Sequence, residues 1–148
     1  MAAERDATAG RLVVSSAGRL ELGPSPAGFS MHTETHAITC SSGDRETGEW
    51  RGIRVGELLE RAGPAADATH LVVTGADDYR VCVPLAATLD ALLAVERLDA
   101  PDDGALPRFL GTGVGGTRSV KRVRRIETAS LAPGEDATQY EDLQLEDE

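Results

Sequence analysis

Lysine is almost absent from this chain. Of 15 lysines and arginines only Lys121 is a lysine, and 25 aspartates and glutamates bring the formal net charge to −10. A surface of that sign repels nucleic acid and anionic lipid, which argues against both as partners. Aromatic residues make up 3% of the sequence, too few to build the stacking platforms of a single-strand nucleic-acid binder. Cysteine is equally scarce. Cys40 and Cys82 form no Cys-x-x-Cys pair, so neither a disulfide framework nor a zinc ribbon is expected, and a reducing compartment suits both thiols. No apolar run approaches the ~20 residues of a membrane-spanning helix, and Met1 to Asp6 lacks the basic start and apolar centre of a signal peptide. These absences predict a cytoplasmic protein. Acid-rich, lysine-poor composition is also that of proteins from salt-loving cells, where concentrated salt screens the self-repulsion of such a surface, so a halophilic protein is expected.

At 148 residues the chain is long enough for one domain that buries about two-thirds of its unfolded surface without covalent staples. Residues 1–10 read as a flexible N-terminus, 11–130 as the folded domain and 131–148 as an acidic disordered tail with little to bury. Within the domain, Leu12 to Val14 and Arg19 to Leu22 read as two short strands around a turn, and the threonine-rich run Ser30 to Cys40 as a third. Val55, Leu58, Leu59 and Ala62 stand at i, i+3, i+4 and i+7 and are followed by Gly63-Pro64, which predicts a short amphipathic helix. His70 to Thr74 and Tyr79 to Val83 flank Gly75-Ala-Asp-Asp78 and predict a hairpin, placing Cys82 as a structural residue. Leu85, Leu89, Leu92 and Leu93 predict a helix from Leu85 to Glu96. Asp99 to Gly104 reads as a loop, Leu106 to Leu110 as a short strand, and the β-branched run from Ser119 to Thr128 as a strand.

Cys40 is the first candidate site residue. It closes the threonine-rich strand and opens Ser41-Ser-Gly-Asp-Arg45, so its thiol has few packing partners and a cation nearby, an arrangement that suits a soft-metal ligand; a buried free cysteine is the alternative. His32, His36 and Cys40 share a strand face, but His32 and His36 are then ~13 Å apart, too far to meet one ion. Gly111-Thr-Gly113-Val-Gly-Gly116 has the letters of a dinucleotide fingerprint without its strand-to-helix context. The second candidate is basic: Arg118, Lys121, Arg122, Arg124 and Arg125 crowd eight positions of an acidic chain, enough to hold a small phosphate-bearing ligand, or else to pair with neighbouring carboxylates.

Taken in order, these pieces resemble the molybdopterin-binding domain of the sulfite oxidase family. The resemblance runs through Cys40 after its strand, Thr47-Gly-Glu-Trp-Arg-Gly-Ile53, the helix ending Leu58-Leu59-Glu-Arg-Ala-Gly63, Ala68 to Val73, Asp78 to Leu85, Leu106-Pro-Arg108 and Arg118 to Glu127, and covers roughly Leu12 to Thr128. It implies an α/β (α+β) fold, a mixed β-sheet with short helices. It also implies a molybdopterin cofactor whose molybdenum takes the thiolate of Cys40, held by Arg118, Ser119 and Lys121, with Arg45 facing an oxyanion substrate. The implied activity is oxygen-atom transfer, with electrons leaving through a separate protein because no Cys-x-x-Cys-His haem motif is present. The alternative is a non-catalytic module of the same fold that recognises an anion or an acidic partner. Where the family often carries a large aromatic after the Val-Lys pair, this chain has Arg122.

Overall fold

Two sheets share the core, and their strands come from both halves of the chain. The computed structural model describes residues 12–23, 28–39, 45–100, 104–111 and 120–142. The elements are β1 (Leu12–Ser15), β2 (Arg19–Leu22), β3 (Met31–Thr39), β4 (Arg45–Arg54), helix α1 (Val55–Ala62), β5 (His70–Gly75), β6 (Arg80–Pro84), β7 (Leu92–Arg97), β8 (Arg108–Leu110) and β9 (Val123–Ala129). Short 3-10 turns occupy Leu85–Ala87 and Ala137–Tyr140. The first sheet has the order β2-β1-β9-β5-β6 and the second β3-β4-β7-β8. Only β1 and β9 run parallel; the other named pairings are antiparallel, so the expected mixed architecture is divided between two sheets. No helix among the described residues is long and apolar enough to cross a membrane.

The core draws Leu12 and Val14 from β1, Leu71 and Val73 from β5, Val81 and Val83 from β6 and Val123 and Ile126 from β9. Ile53, Leu93 and Phe109 face them from the second sheet. Helix α1 covers one end with Val55, Leu58, Leu59 and Ala62, the stripe visible in the sequence, and each fully buried aliphatic side chain contributes about 1.5–3 kcal/mol. Glu57 in its first turn and Arg61 in its last suit the helix dipole. Gly63 ends it at φ 93, and its carbonyl accepts from the Ala17 N–H in the β1–β2 turn.

Two expectations are corrected. The stretch Leu85 to Glu96, read as a helix, is a three-residue 3-10 turn followed by strand β7. Thr88 closes the turn by donating from its hydroxyl to the Leu85 carbonyl at 2.9 Å. Leu92, Leu93 and Ala94 are then buried on both faces of an interior strand, which erases the alternation that would mark a strand in sequence. The acidic segment after residue 130 is ordered as far as Asp142. The Arg80 N–H donates to the Asp142 carbonyl and the Asp142 N–H to the Arg80 carbonyl, both at 2.8 Å, while the Cys82 N–H donates to the Glu141 carboxylate at 2.9 Å. The outer edge of β6 is thereby covered, as unpaired sheet edges commonly are. Composition did not show this because polar backbone bonds hold the segment. Residues 1–11 and 143–148 lie outside the described residues.

Candidate functional site

Strands β3 and β4 pair without interruption from Met31↔Ile53 to Thr39↔Arg45, so Cys40 follows the last paired residue of β3 and Arg45 opens β4. Cys40 itself lies outside the described residues, as do Arg118 and Ser119 and the glycine-rich Gly113 to Gly116; of Arg45 only the backbone is described. Lys121 is described and exposed.

The side of the second sheet that faces away from the shared core is built of an unusual set of residues. Cross-strand partners place His32, Glu34 and His36 of β3 beside Gly52, Trp50 and Gly48 of β4, and Trp50 in turn opposite Arg97 of β7. Arg108 of β8 lies opposite Ala94 on the same side. Trp50, Leu92, Ala94 and Leu110 are buried together, with Leu106 packed against them. Arg108, at 7% exposure, is one of two polar side chains buried among the described residues. Glu34 holds this layer together: it meets His36 Nε2 at 2.8 Å and Arg54 at 2.5 Å, and Arg54 also donates to the Asp90 carbonyl at 2.6 Å.

Two glycines of the motif Thr47 to Ile53 make the layer possible. A Cβ on Gly48 would stand 2.7 Å from the Trp50 ring and 2.8 Å from the Arg97 guanidinium. A Cβ on Gly52 would stand 2.1 Å from the Leu93 carbonyl, at the point where the β4–β7 register shifts. The motif was legible; the face it builds was not, because Arg97 and Arg108 come from strands that sequence reading did not join to it. The signal available was the alternation of Glu34 and His36 on the same side as Trp50.

The basic run divides in the structure. Arg122 and Arg125 stand half exposed near Asp77 and Glu127 at 3.8 and 3.9 Å, loose surface pairs of little energetic weight. Lys121 has neither hydrogen bond nor ion pair among the described residues. Its backbone belongs to Val120–Val123, which runs beside 105–109: the Phe109 N–H donates to the Val120 carbonyl at 3.0 Å and the Val123 N–H to the Pro107 carbonyl at 2.9 Å. The segment therefore borders the second sheet beyond β8, and β3, after which Cys40 comes in the sequence, is the opposite edge.

The remaining candidates separate cleanly. Cys82 is buried at 4% exposure, and burial first, the Glu141 carboxylate second, push its thiol above the ordinary value; at neutral pH it stays protonated and is a poor ligand. His70 begins β5 with its ring against the Thr69 hydroxyl at 2.9 Å. Among the described residues no three His, Cys, Asp or Glu side chains converge to hold a metal ion. A shallow apolar groove between Leu59, Leu85 and Leu89 holds none of the predicted site residues.

Comparison with known proteins gives one family and one fold. The family model described as the oxidoreductase molybdopterin binding domain matches residues 25–134. No curated protein matches. Among solved structures the chain is similar to the sulfane dehydrogenase SoxCD from Paracoccus pantotrophus, with a TM-score of 0.73 at 21% identity over 82% of this chain. It spans 38% of the length of that protein. At that identity the likeness is one of fold.

Proposed function

This chain belongs to the family of oxidoreductase molybdopterin-binding domains, and from that membership we propose that it holds a molybdenum cofactor for oxygen-atom transfer of the sulfite-oxidase kind. The match across residues 25–134 carries the reading. When bound, the cofactor supplies the two-electron oxygen-atom chemistry.

The residues present fit such a group. A cysteine thiolate is the soft donor that molybdenum takes, and Cys40 comes directly after Thr39, the last paired residue of β3, in the sequence. The cofactor carries its metal and its phosphate at different ends. Strand β3, after which Cys40 comes in the sequence, is one edge of the second sheet, and the exposed ammonium of Lys121 belongs to the segment beyond the other, which suits that separation. In this reading Lys121, Arg118 and Ser119 hold the pterin and its phosphate by charge-assisted hydrogen bonds, and Arg45 faces the oxyanion substrate. The buried face with Trp50, Arg97 and Arg108 keeps water from the sheet between these two edges and adds positive charge to a protein that is otherwise acidic. Electrons leave through a separate electron-transfer protein. A cytoplasmic setting and a salt-adapted surface belong to the same proposal.

The experiment is molybdenum per chain, by mass spectrometry, on protein purified in high salt from a host that makes the cofactor. Near-stoichiometric metal that is lost in a folded Cys40→Ser variant is expected. A metal-free wild-type protein that still melts cooperatively, or equal metal in both proteins, overturns the reading; the former favours a non-catalytic anion-binding module of the same fold.

A further inference from the structure

The residue after Lys121 has a left-handed backbone. Arg122 stands at φ 49, one of two non-glycine residues with positive φ among the described residues. Residues with a Cβ adopt this region at a cost, and they persist in it only where the surroundings over-determine the conformation. Here they do. The Arg122 N–H donates to the Ala105 carbonyl and its carbonyl accepts from the Ala76 N–H, both at 2.9 Å. Val120 and Val123 on either side are buried at 1% and 2% exposure.

The position explains the conformation. Before Arg122 the chain borders the second sheet beside β8; after it, the chain enters the first sheet as β9. Chains that pass from one packed sheet to another need a bend at the corner. Gly75 closes on the same corner, with its Cα hydrogens so near that a Cβ there would lie 2.7 Å from the Lys121 carbonyl. Every backbone neighbour of Lys121 is therefore held, while its own side chain points to solvent. The Arg122 side chain does little to account for the strain: it is half exposed and 3.8 Å from Asp77.

We propose that Arg122 is a positioning residue, whose left-handed backbone at the corner between the sheets fixes the ammonium of Lys121 for a phosphate-bearing ligand. The proposal rests on the reading of Lys121 given above. It assigns the effect to backbone conformation and not to the guanidinium, so glycine should replace Arg122 and a β-branched residue should not.

The test uses Arg122→Gly, Arg122→Val and Lys121→Ala in the full chain, made in a cofactor-producing host and assayed for retained pterin and molybdenum. Wild type and Arg122→Gly are expected to retain cofactor equally, and Arg122→Val at least fivefold less while still melting cooperatively. In the Lys121→Ala background Arg122→Val should add no further loss. Arg122→Thr, also β-branched, serves if the valine variant does not fold. Full retention in the folded valine or threonine variant, equal loss in the glycine variant, or an undiminished effect without Lys121 overturns the proposal. A second measurement separates this claim from the family reading. Lys121 is the only lysine, so its acylation by a succinimidyl ester, followed by peptide mapping, reports its surroundings in cofactor-free protein. Inorganic phosphate, against chloride at equal ionic strength, should slow that reaction severalfold in wild type and Arg122→Gly but not in Arg122→Val. If wild type carries no cofactor but shows this pattern, the family reading fails and the positioning claim stands; no protection in wild type, or equal protection in all three, overturns the positioning claim.

Discussion

The guanidinium of Arg97 lies over the indole of Trp50, 4.9 Å from the ring centroid, and the two residues are cross-strand partners on β7 and β4. A cation over an indole face is worth roughly 0.5–2 kcal/mol, more as water is excluded, and the Arg97 side chain is only 10% exposed. The ring also meets His36 at 6.5 Å between centroids. One tryptophan thus gathers side chains from the two strands that flank its own, β3 and β7, on the outer face of the second sheet.

Gly48→Ala should destabilise the protein by about 1–3 kcal/mol, since the added methyl overlaps both the Trp50 ring and the Arg97 guanidinium. Gly23→Ala, with nothing within 4 Å of the added carbon, should be neutral. Thermal or urea unfolding of the two variants checks the contrast; equal stability would mean that the layer yields freely.

Acid should loosen the same region. Asp99 accepts from the Glu49 N–H and from Arg97 Nε, each at 3.0 Å, and these bonds, the Glu49 bond first, hold its carboxyl below the usual carboxylate range. Because the folded form binds this proton less readily than the unfolded chain, the contribution is complete above about pH 4 and is lost as pH falls through the depressed value. Carboxyl NMR titration should place the Asp99 midpoint below the ordinary value, and Arg97→Gln should raise it.

Cys82 should alkylate slowly at pH 8. Burial is the larger cause and the Glu141 carboxylate the smaller, so Glu141→Gln, which keeps an acceptor oxygen for the Cys82 N–H and removes the charge, should quicken the reaction a few-fold without making it fast. Peptide mapping after iodoacetamide treatment separates Cys82 from Cys40. An unchanged rate would show that the carboxylate does not act on the thiol.

Lys121→Ala should leave stability within about 0.5 kcal/mol of wild type, as expected of an exposed side chain. Phe109→Ala, at a fully buried core position, should cost about 3–5 kcal/mol. Urea unfolding of both variants separates an exposed side chain from a core contact.

Elements with one wet face and one dry face were legible. The stripe of α1 survives in the sequence because burial on one side only writes a period into it, whereas the β5–β6 hairpin, buried through Leu71 to Val73 and Val81 to Val83, was marked by its β-branched runs and the turn residues between them. Leu92 to Ala94 carried no such period, and the leucines at 85, 89, 92 and 93 imitated a helix by chance of spacing. Of the site, Lys121 and the Thr47 to Ile53 motif could be singled out by residue type and order. That Trp50 would meet Arg97 could not, since 46 intervening residues had first to fold into their strands.

By itself, then, the sequence determined the family, the order of most elements, the helix and its buried stripe, and the residues whose chemistry suits a metal and a phosphate, because these depend on residue type and short-range spacing. Only the tertiary structure decided that the strands divide into two sheets, that the acidic segment as far as Asp142 seals the β6 edge, and that Arg122 turns left-handed at the corner. Each of those is settled by backbone hydrogen bonds and close approaches between residues far apart in the chain, and such bonds use groups that nearly every residue carries, so they leave no mark in composition or period.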